Sequence, residues 1–402
     1  MPSSLDSPIK PAAEDSPAAP GTRTRRGLPL DPLLTLAVVG LGICSVATLT
    51  SATRNLVEGQ PRYYVDRQIV YLAVGVLFML ALSRFDYSRL RQFKRAIYIA
   101  LMLSIFAVLG LGHSTLGSQR AISLPFFSFQ ASELGKVLLT VALAALVVDR
   151  SRQLRERETT AWVMVAALVP AMFVIRQPDL GSGMVYVVIA LTLLFVAGTS
   201  WRQLSGLLAL GAVSIALVLV AAPAIGVNVI KAYQVERLTA FLHPSTNPEK
   251  QGYQQEEAKI AIGSGQKTGR GAGATQVPLG YVPESDTDFI FAAVGEQYGF
   301  VGAALVLSLY ALLIWRALRI LTMSKDLFGS LVAAGVAAML MFQVFVNVGM
   351  AVGIMPITGV TLPLMSYGGS SVITILLGVG LLQSIYVQAR ASEALKGRVP
   401  LH

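Results

Sequence analysis

The sequence predicts an all-α membrane protein, a polytopic bundle of about ten transmembrane helices with a large extracytoplasmic loop between helices 7 and 8. Two observations carry this prediction. Of the 402 residues, 54% are hydrophobic and only 13% are charged, whereas an ordinary soluble domain is about 25% charged. Apolar windows of roughly 17–25 residues, enough to cross a hydrocarbon core of about 30 Å, also recur along the chain. This composition excludes a soluble enzyme, a disordered protein and a fibrous protein.

Ten apolar windows are predicted to be membrane spans. The fourth window begins with Glu133 and Lys136, and the eighth contains Glu296. The predicted spans are residues 32–52, 67–83, 96–112, 131–149, 161–176, 182–198, 203–225, 289–315, 327–350 and 370–388.

Cationic side chains are concentrated in alternate loops, and this distribution predicts the orientation. The positive-inside rule places both termini in the cytoplasm, in agreement with an even number of spans. Because these loops account for the net charge of +10, no nucleic-acid partner is predicted. The cations assigned to the cytoplasmic side are Arg23, Arg25, Arg26, Arg84, Arg89, Arg91, Lys94, Arg95, Arg150, Arg152, Arg155, Arg157, Arg202, Arg316, Arg319, Lys325, Arg390, Lys396 and Arg398.

The chain is predicted to consist of one transmembrane domain, residues 28–392, between two cytoplasmic tails, the disordered residues 1–27 and residues 393–402. Within the domain, residues 226–288 leave the bilayer on the outer face, and loops of this length are usually functional or disordered. Apolar side chains at helical spacing predict an amphipathic helix within residues 230–242. A second short helix is predicted from residue 252 to residue 262.

Four charged side chains fall at membrane depth, where each costs on the order of a few kcal/mol. Glu133 and Lys136, three residues apart on one helix face, either neutralise each other or form a charged wall of an outward-open cavity. Asp179 either caps the sixth span or belongs to a site. Glu296 is predicted to be structural, holding neighbouring backbone or a cation.

Residues 283–291 place three carboxylates, those of Glu284, Asp286 and Asp288, just outside the membrane and before an apolar helix. Thr287 or Asp288 could cap that helix, since acids are also favoured near the positive end of its dipole. Alternatively, a carboxylate at a partly dry interface can act as a general base whose pKa is adjusted by its surroundings. The spacing alone favours the cap.

A glycine-rich cationic segment, residues 263–271, precedes these carboxylates. It does not match the G-x-x-x-x-G-K-[ST] phosphate loop, because Ala261 and Gln266 stand where glycines are required. The pattern favours a mobile loop. The alternative is a loop that contacts a diphosphate through Lys267, Arg270 and backbone N–H groups. The sequence contains no Cys/His cluster and no H-E-x-x-H motif, so no metal ligand is assigned.

Several motifs, taken in combination and in order, carry a family resemblance that extends from the first span to the last. They are Gln130–Lys136 (QASELGK), Gln177–Gly181 (QPDLG), Tyr233-Gln234 with Arg237-Leu238, Gly252–Gln255 (GYQQ), Pro283-Glu284 with Thr287–Phe291 (TDFIF), Gly295-Glu296, and Pro356–Gly359 (PITG) running into Leu362–Ser371 (LPLMSYGGSS). With these motifs the chain resembles the SEDS family (shape, elongation, division and sporulation), which includes the RodA and FtsW glycosyltransferases that polymerise peptidoglycan.

The resemblance implies ten transmembrane helices and a large extracytoplasmic loop between the seventh and eighth. It also implies that Asp288 is the essential catalytic carboxylate, which reverses the preference for the helix cap. Glu133, Lys136 and Asp179 fall on acids and a lysine of family motifs, which implies roles in substrate binding. The chain departs from the family pattern beside Asp288, because the family usually has His where Asp286 stands.

The implied activity is polymerisation of lipid II into β-1,4-linked glycan strands at the outer face of the bacterial cytoplasmic membrane, with Asp288 as general base. Candidates for stabilising the diphosphate charge are Arg120, Lys136, Lys267 and Arg270. A divalent cation, Mg or Mn, could share that task, and its ligands are not assigned. Besides lipid II and membrane lipid, the implied partner is a class B penicillin-binding protein, a transpeptidase.

Two other function classes stay open. A lipid II flippase or transporter would use the same buried charges but would need no base outside the membrane. A scaffold that only recruits a partner would tolerate the loss of Asp288, Glu133 and Lys136. Within the family, the sequence of residues 273–276 (GATQ) favours the RodA branch, and hence cell elongation, over an FtsW-type division polymerase.

Overall fold

The computed structural model describes residues 30–54, 59–111, 113–115, 118–123, 127–153, 156–217 and 251–396. The described chain is almost entirely helical, and each of the ten predicted spans overlaps a helix. The α-helices are α1 (Pro32–Ala52), α2 (Tyr63–Arg84), α3 (Lys94–Leu111), α4 (Ala131–Asp149), α5 (Arg157–Arg176), α6 (Leu180–Val196), α7 (Trp201–Ala216), α8 (Gln251–Ser264), α9 (Ile290–Met323), α10 (Leu327–Val352) and α11 (Gly369–Lys396).

Most of these helices have the dimensions of membrane spans. Within the described ranges, α1 to α5 and α9 to α11 are long and apolar enough to cross a membrane, which makes eight. Helix α6 is apolar but has only 17 residues. The predicted seventh span continues to residue 225, and its residues 218–225 lie outside the described part of the chain. The fold is that of a polytopic membrane protein.

Three helices form the centre of the bundle. In α4, α10 and α11, 78% of the residues in the most apolar stretch are buried, compared with 17% in α3. Helix α2 packs along α11, α1 along α9, and both α3 and α6 against α4. The outer helices leave apolar side chains such as Leu36, Leu77 and Leu103 exposed, as expected for surfaces that contact lipid.

A small antiparallel sheet, which the sequence did not predict, connects α3 to α4. Its strands are β1 (His113–Thr115), β2 (Ser118–Ser123) and β3 (Ser128–Phe129), with β2 in the middle. Ile122 on β2 pairs with Phe129 on β3. Strands this short carry no alternating apolar pattern, which is why sequence periodicity did not reveal them. Because β3 leads into α4, the sheet fixes the position of the first turn of that helix.

Helix α9 is longer than the predicted span 289–315 and bends at Gly299, whose φ of 62° and ψ of −157° are not helical. Glycine adopts this conformation without the steric cost of a Cβ atom. Helix α8, predicted from residue 252 to residue 262, packs against α9 and α10. The amphipathic helix predicted within residues 230–242 lies outside the described residues.

Helix α11 continues to Lys396, beyond the predicted end of its span at residue 388. Residues 393–396 of the predicted second tail are therefore helical. The extension contains good helix formers and an i, i+3 ion pair of Arg390 with Glu393 at 3.8 Å, both of which favour helix. The predicted tail 1–27 and residues 397–402 lie outside the described part of the chain.

Candidate active site

The loop before α9, residues 284–289, is held through its main chain. Three consecutive carbonyl oxygens each accept a hydrogen bond from a donor much later in the sequence. The bonds run from Tyr367 N to Asp286 O (2.8 Å), from Ser366 Oγ to Thr287 O (2.6 Å) and from Asn347 Nδ2 to Asp288 O (2.8 Å). The loop is thereby fixed both to α10 and to the segment that precedes α11.

Asn347 and Ser366 each connect two chain segments. The Asn347 side chain is fully buried, and its Nδ2 also donates to Val360 O at 2.7 Å. Ser366 Oγ also accepts a hydrogen bond from Leu362 N at 2.8 Å. A buried polar group left without a partner costs about 1–3 kcal/mol. These two side chains therefore stabilise one conformation of the main chain that carries Asp288.

Asp288 is half-buried and lies two residues before the start of α9. The helix begins at Ile290 with Phe289 in the N-cap position. The N-cap residue is therefore Phe289, and the prediction that Thr287 or Asp288 occupies this position is wrong. The physical reason is that hydrogen bonds from Ser366 and Asn347 hold the carbonyls of residues 287 and 288, so the helix starts later than the spacing suggested.

A second carboxyl group, that of Asp286, lies on the same loop. Burial raises the pKa of Asp286 to about 6, and the negative charge of Glu284 adds to the increase. Glu284 itself accepts a hydrogen bond from Thr287 Oγ1 at 2.8 Å. The loop thus concentrates carboxyl groups at one end of the bundle.

Tyrosine side chains from α2 and from the segment before α11 lie beside this loop. The rings of Tyr64 and Tyr367 meet edge to face with their centroids 4.8 Å apart, and Tyr71 lies 6.0 Å from Tyr367. The Arg67 guanidinium stands 4.3 Å above the ring of Tyr63 and lies near Tyr367. One side of the loop is therefore aromatic and carries a cation.

Glu133 and Lys136 form the expected pair in the interior of the bundle. Lys136 Nζ donates to Glu133 Oε1 at 2.5 Å, and the two residues are 1% and 3% exposed. Between them, Gly135 allows α6 to approach α4, because a Cβ there would stand 1.9 Å from Tyr186 Oη. In this conformation the pair is closed off from solvent, so contact with a substrate would require α4 to separate from its neighbours.

Asp179 both caps α6 and links that helix to α4. Its Oδ1 accepts a hydrogen bond from Ser182 N at 3.0 Å, as predicted for a cap. Its Oδ2 accepts from Ser132 Oγ at 2.6 Å and from Gln130 Nε2 at 3.1 Å. The side chain is 4% exposed. Asp179 therefore has a structural role in this conformation, and a role in substrate binding stays a prediction.

Glu296 holds neighbouring backbone, as predicted from its position. It is fully buried, and its carboxylate accepts hydrogen bonds from three consecutive backbone N–H groups. The donors are Thr275 N (2.7 Å), Gln276 N (2.8 Å) and Val277 N (2.9 Å). The carboxylate thus fixes the segment between α8 and the Asp288 loop onto α9.

The glycine-rich segment 263–271 is interlocked with the bend of α9. Phe300 N donates to Gln266 O at 2.9 Å. A Cβ on Gly269, whose φ is +84°, would stand 2.1 Å from Gln297 O, a distance that real Cβ atoms essentially never show. The preferred interpretation of this segment as a mobile loop is therefore wrong. Its glycines allow close approach of two backbones, a role that a flexible linker would not require.

This packing also limits how the segment could bind a diphosphate. Gly269 N donates to Gly265 O and Arg270 N donates to Glu296 O, both at 2.8 Å, so neither N–H group is available to a ligand. The side chains of Lys267 and Arg270 are exposed. Any contact with a diphosphate would therefore involve these side chains and not the N–H groups of residues 269 and 270.

Two further expectations concern Arg120 and a metal ion. Arg120 lies on β2, and its side chain is outside what the structure describes. Among the described residues, no group of three or more His, Cys, Asp or Glu side chains is placed to hold a metal ion. The described side chains thus do not form a metal site of their own, and the Mg or Mn ion stays a prediction.

Sequence reasoning assigned no role to Asn347 or Ser366. Both side chains are uncharged, so the cost of a charge at membrane depth does not single them out. An isolated polar residue in an apolar helix is itself a signal, since buried polar groups need partners. Gln343, one turn before Asn347, gives the same signal, yet neither atom of its buried amide has a hydrogen-bond partner within the described chain. The signal therefore identifies candidates without defining their roles.

Comparison with known proteins connects this geometry to a family. A family model described as "Cell cycle protein", which covers FtsW, RodA and SpoVE, matches residues 30–391. The chain is 35% identical to the probable peptidoglycan glycosyltransferase FtsW of Thioalkalivibrio sulfidiphilus, over 91% of each chain. It is 34% identical to the peptidoglycan glycosyltransferase MrdB of Escherichia coli K12, over 90% of this chain and 94% of that one.

Solved structures show the same relationship. A chain of a peptidoglycan synthase complex, described as coordinating polymerization and crosslinking, matches with a TM-score of 0.76 and 32% identity, over 90% of this chain and 99% of that one. The rod shape determining protein RodA of Thermus thermophilus matches with a TM-score of 0.63 and 29% identity, over 90% of this chain and 97% of that one. On this evidence the chain belongs to the SEDS family of FtsW, RodA and SpoVE.

Proposed function

We propose that this protein is a peptidoglycan glycosyltransferase that polymerises lipid II at the outer face of the cytoplasmic membrane. The names of its relatives support this activity. The loop cations support an orientation with both termini in the cytoplasm and Asp288 outside. Lipid II would enter laterally, because its polyprenyl chain stays in the bilayer while the sugars react at the surface.

In the proposed reaction Asp288 is the general base. Its carboxylate takes the proton of the 4-hydroxyl group of the acceptor sugar, and that oxygen bonds to the anomeric carbon of the donor. The bond from the anomeric carbon to the diphosphate oxygen breaks, and polyprenyl diphosphate leaves with the electron pair. One displacement converts the α-linked donor into a β-1,4 linkage, so a single carboxylate suffices.

The observation that supports Asp288 most strongly is the fixed main chain around it. A general base needs to lie within hydrogen-bond reach of the proton that it removes, and a misplacement of about 1 Å can cost a factor of about 100 in rate. The hydrogen bonds to the carbonyls of residues 286, 287 and 288 provide such positioning. Asp288 is also half-buried and lies directly before Phe289, the N-cap residue of α9.

The leaving diphosphate needs positive charge where its own negative charge develops. Lys267 and Arg270 are exposed on the segment that packs against the first turns of α9, so both are accessible candidates. Lys136 would contribute only after its pair with Glu133 opens, since it is 1% exposed. Arg120 is a candidate by its position on β2.

A class B penicillin-binding protein is the proposed partner, and elongation the proposed process. The partner is supported by the likeness to a chain of a synthase complex in which polymerization and crosslinking are coordinated. Elongation is supported by residues 273–276, which resemble the RodA branch. The expected result is rescue of rod shape in cells depleted of their own elongation polymerase, without rescue of division in cells depleted of their own division polymerase. Rescue of division alone would overturn the assignment to elongation.

The activity is tested with purified protein and lipid II, with the products resolved by polymer length on a gel. We expect Asp288→Asn to lose polymer formation while remaining folded. Glu284→Gln, an exposed carboxylate on the same loop, is the matched control and is expected to form polymer. Polymer at the wild-type level from Asp288→Asn would remove Asp288 from this role. Transfer of lipid II across vesicles by a wild-type protein that makes no polymer would favour a flippase instead.

A further inference from the structure

An apolar groove with a cationic rim lies at the end of the bundle opposite Asp288. Residue 130, just before α4, is bonded through its N–H group to Ser370 near the Asp288 loop. The other end of this 19-residue helix, at Asp149, lies about 28 Å further along its axis. There, α3, α4 and α5 surround a cavity of about 460 Å³. The cavity is therefore separate from the candidate active site.

The walls of this groove are hydrophobic. Tyr98 and Ile99 of α3 face Leu143 and Leu146 of α4 across it. The hydroxyl of Tyr98 donates to Ala166 O of α5 at 3.0 Å, which connects the helices on two sides of the groove and satisfies its polar group. Ile99 is 57% exposed. A groove of this kind on the flank of a membrane bundle fits an acyl chain.

The rim of the groove is positively charged. Lys94, Arg95 and Arg150 line it together with a single acid, Asp149. An adjoining polar hollow of about 440 Å³ shares Lys94 and Asp149 and adds Arg91. Asp149 forms ion pairs with Arg91 and Lys94. Within the described chain, Arg95 and Arg150 have no carboxylate partner, so the rim carries an excess of positive charge.

We propose that this groove binds an anionic glycerophospholipid, with an acyl chain on the hydrophobic walls and the phosphate among the rim cations. Basic pockets between transmembrane helices recognise anionic head groups through this combination of charge and shape. A zwitterionic phosphatidylcholine would place its own cation against the excess positive charge, whereas phosphatidylglycerol would not. Binding at this groove does not depend on the reaction proposed for Asp288.

Two of the three tryptophans provide matched reporters of lipid contact. Trp162 is 52% exposed, and the Arg150 guanidinium lies 5.7 Å from its ring centroid. Trp315 is also 52% exposed and has Arg316 at 5.3 Å, but Arg316 is paired with Asp31. Both tryptophans are thus exposed and contact an arginine. The arginine beside Trp315 is neutralised by a carboxylate, and the arginine beside Trp162 has no carboxylate partner within the described chain.

The test reconstitutes the full chain in phosphatidylcholine vesicles that contain brominated phosphatidylglycerol or brominated phosphatidylcholine, which quench nearby tryptophans. Trp201→Phe/Trp315→Phe leaves Trp162 as the only reporter, and Trp162→Phe/Trp201→Phe leaves Trp315. At Trp162 we expect brominated phosphatidylglycerol to quench more strongly than brominated phosphatidylcholine at the same mole fraction. Arg95→Gln or Arg150→Gln should each weaken that preference by about fivefold, the factor that corresponds to about 1 kcal/mol per cation at a membrane surface. At Trp315 we expect equal quenching by both lipids.

Two further variants distinguish lipid binding from misfolding. Arg150→Lys should restore most of the preference that Arg150→Gln loses. Asp149→Asn should increase the preference for phosphatidylglycerol, because it releases Arg91 and Lys94 from their ion pairs. Equal quenching of Trp162 by the two lipids, or the same preference at Trp315, would overturn the proposal. Since the assay contains no lipid II, its outcome is independent of the proposed polymerase activity.

Discussion

The acids inside the bundle and the acids of the loop before α9 are held in different ways. Glu133, Asp179 and Glu296 are 3%, 4% and 0% exposed. Their carboxylates accept hydrogen bonds from a lysine, from serine and glutamine side chains, and from backbone N–H groups. Around Asp288, hydrogen bonds from distant donors hold the carbonyls of the main chain.

The acids inside the bundle thus have a structural role in this conformation, and the catalytic role of Asp288 stays a proposal. A carboxylate whose oxygens are occupied by fixed donors connects the elements that supply those donors, as Asp179 connects α4 with α6. A general base needs a rigid backbone and access to the substrate. Charge at membrane depth is therefore not by itself a sign of catalysis, and the half-buried position of Asp288 fits the catalytic role better.

Breaking the buried ion pair is expected to have the largest effect on stability. Lys136→Met leaves Glu133 buried without its partner, and removing one member of a buried pair costs about 3–5 kcal/mol. We expect that loss in the free energy of unfolding, measured in detergent. The double variant Glu133→Gln/Lys136→Met should recover most of it. Equal stability of Lys136→Met and wild type would show that the pair does not hold the interior together.

Asn347→Leu is expected to have the next largest effect. It removes the donor to the buried carbonyl of Val360, at about 1–3 kcal/mol. It also removes the donor to the partly buried carbonyl of Asp288 and so releases the main chain there. Both stability and the rate of polymerisation should fall. Gln343→Leu, one turn earlier on α10, is the matched control and should be neutral or stabilising, because that amide has no partner within the described chain. Similar losses in both variants would contradict the positioning role of Asn347.

The stability of the loop should depend on pH through Asp286. Burial raises the pKa of Asp286 from 3.8 to about 6, so the folded state binds this proton more tightly than the unfolded state. The resulting stabilisation is present below about pH 4 and is lost as the pH rises through about 6. Asp286→Asn should therefore be more stable than wild type above pH 6, by about 2–3 kcal/mol, with no difference near pH 4. Thermal unfolding of both proteins between pH 4 and pH 8 measures this difference in stability. A variant that is less stable than wild type at pH 8 would refute the raised pKa of Asp286.

The smallest effect is expected at an exposed pair with the same spacing as Glu133 and Lys136. Arg390 and Glu393 are i, i+3 neighbours at 3.8 Å, and both side chains are 57% exposed. Solvent screening limits such pairs to about 0.5 kcal/mol. Arg390→Ala should therefore change the unfolding free energy by less than that. A loss close to that of Lys136→Met would mean that burial is not what distinguishes the two pairs.

Much of the fold could be predicted from the sequence, because a membrane span is a local property. Each predicted span overlaps a helix of the described chain, and the short helix predicted from residue 252 overlaps α8. The sheet between α3 and α4 was missed because its strands are too short for periodicity to emerge. The bend at Gly299 was missed because it depends on contact with Gly269, thirty residues earlier in the chain.

The candidate site was less predictable, because its geometry depends on residues that are distant in sequence. The pair of Glu133 with Lys136 and the cap by Asp179 follow from spacings of three residues, and both are present. The prediction of a helix cap at residues 287–288 was wrong. The carbonyls of these two residues accept hydrogen bonds from donors that are 79 and 59 residues away in sequence. No local pattern shows that Asn347 reaches Asp288 while the Gln343 amide has no partner among the described residues.

The general-base role of Asp288 is tested most directly by chemical rescue. The initial rate of lipid II polymerisation is measured for wild type, Asp288→Asn and Asp288→Ala, each shown to be folded, with increasing formate. A general base contributes a factor of about 10²–10⁴, so both variants should be slower by about that much. Formate, a small carboxylate that fits the space vacated in Asp288→Ala, should restore activity to that variant only. A wild-type rate in Asp288→Asn without formate would contradict the role of this carboxylate.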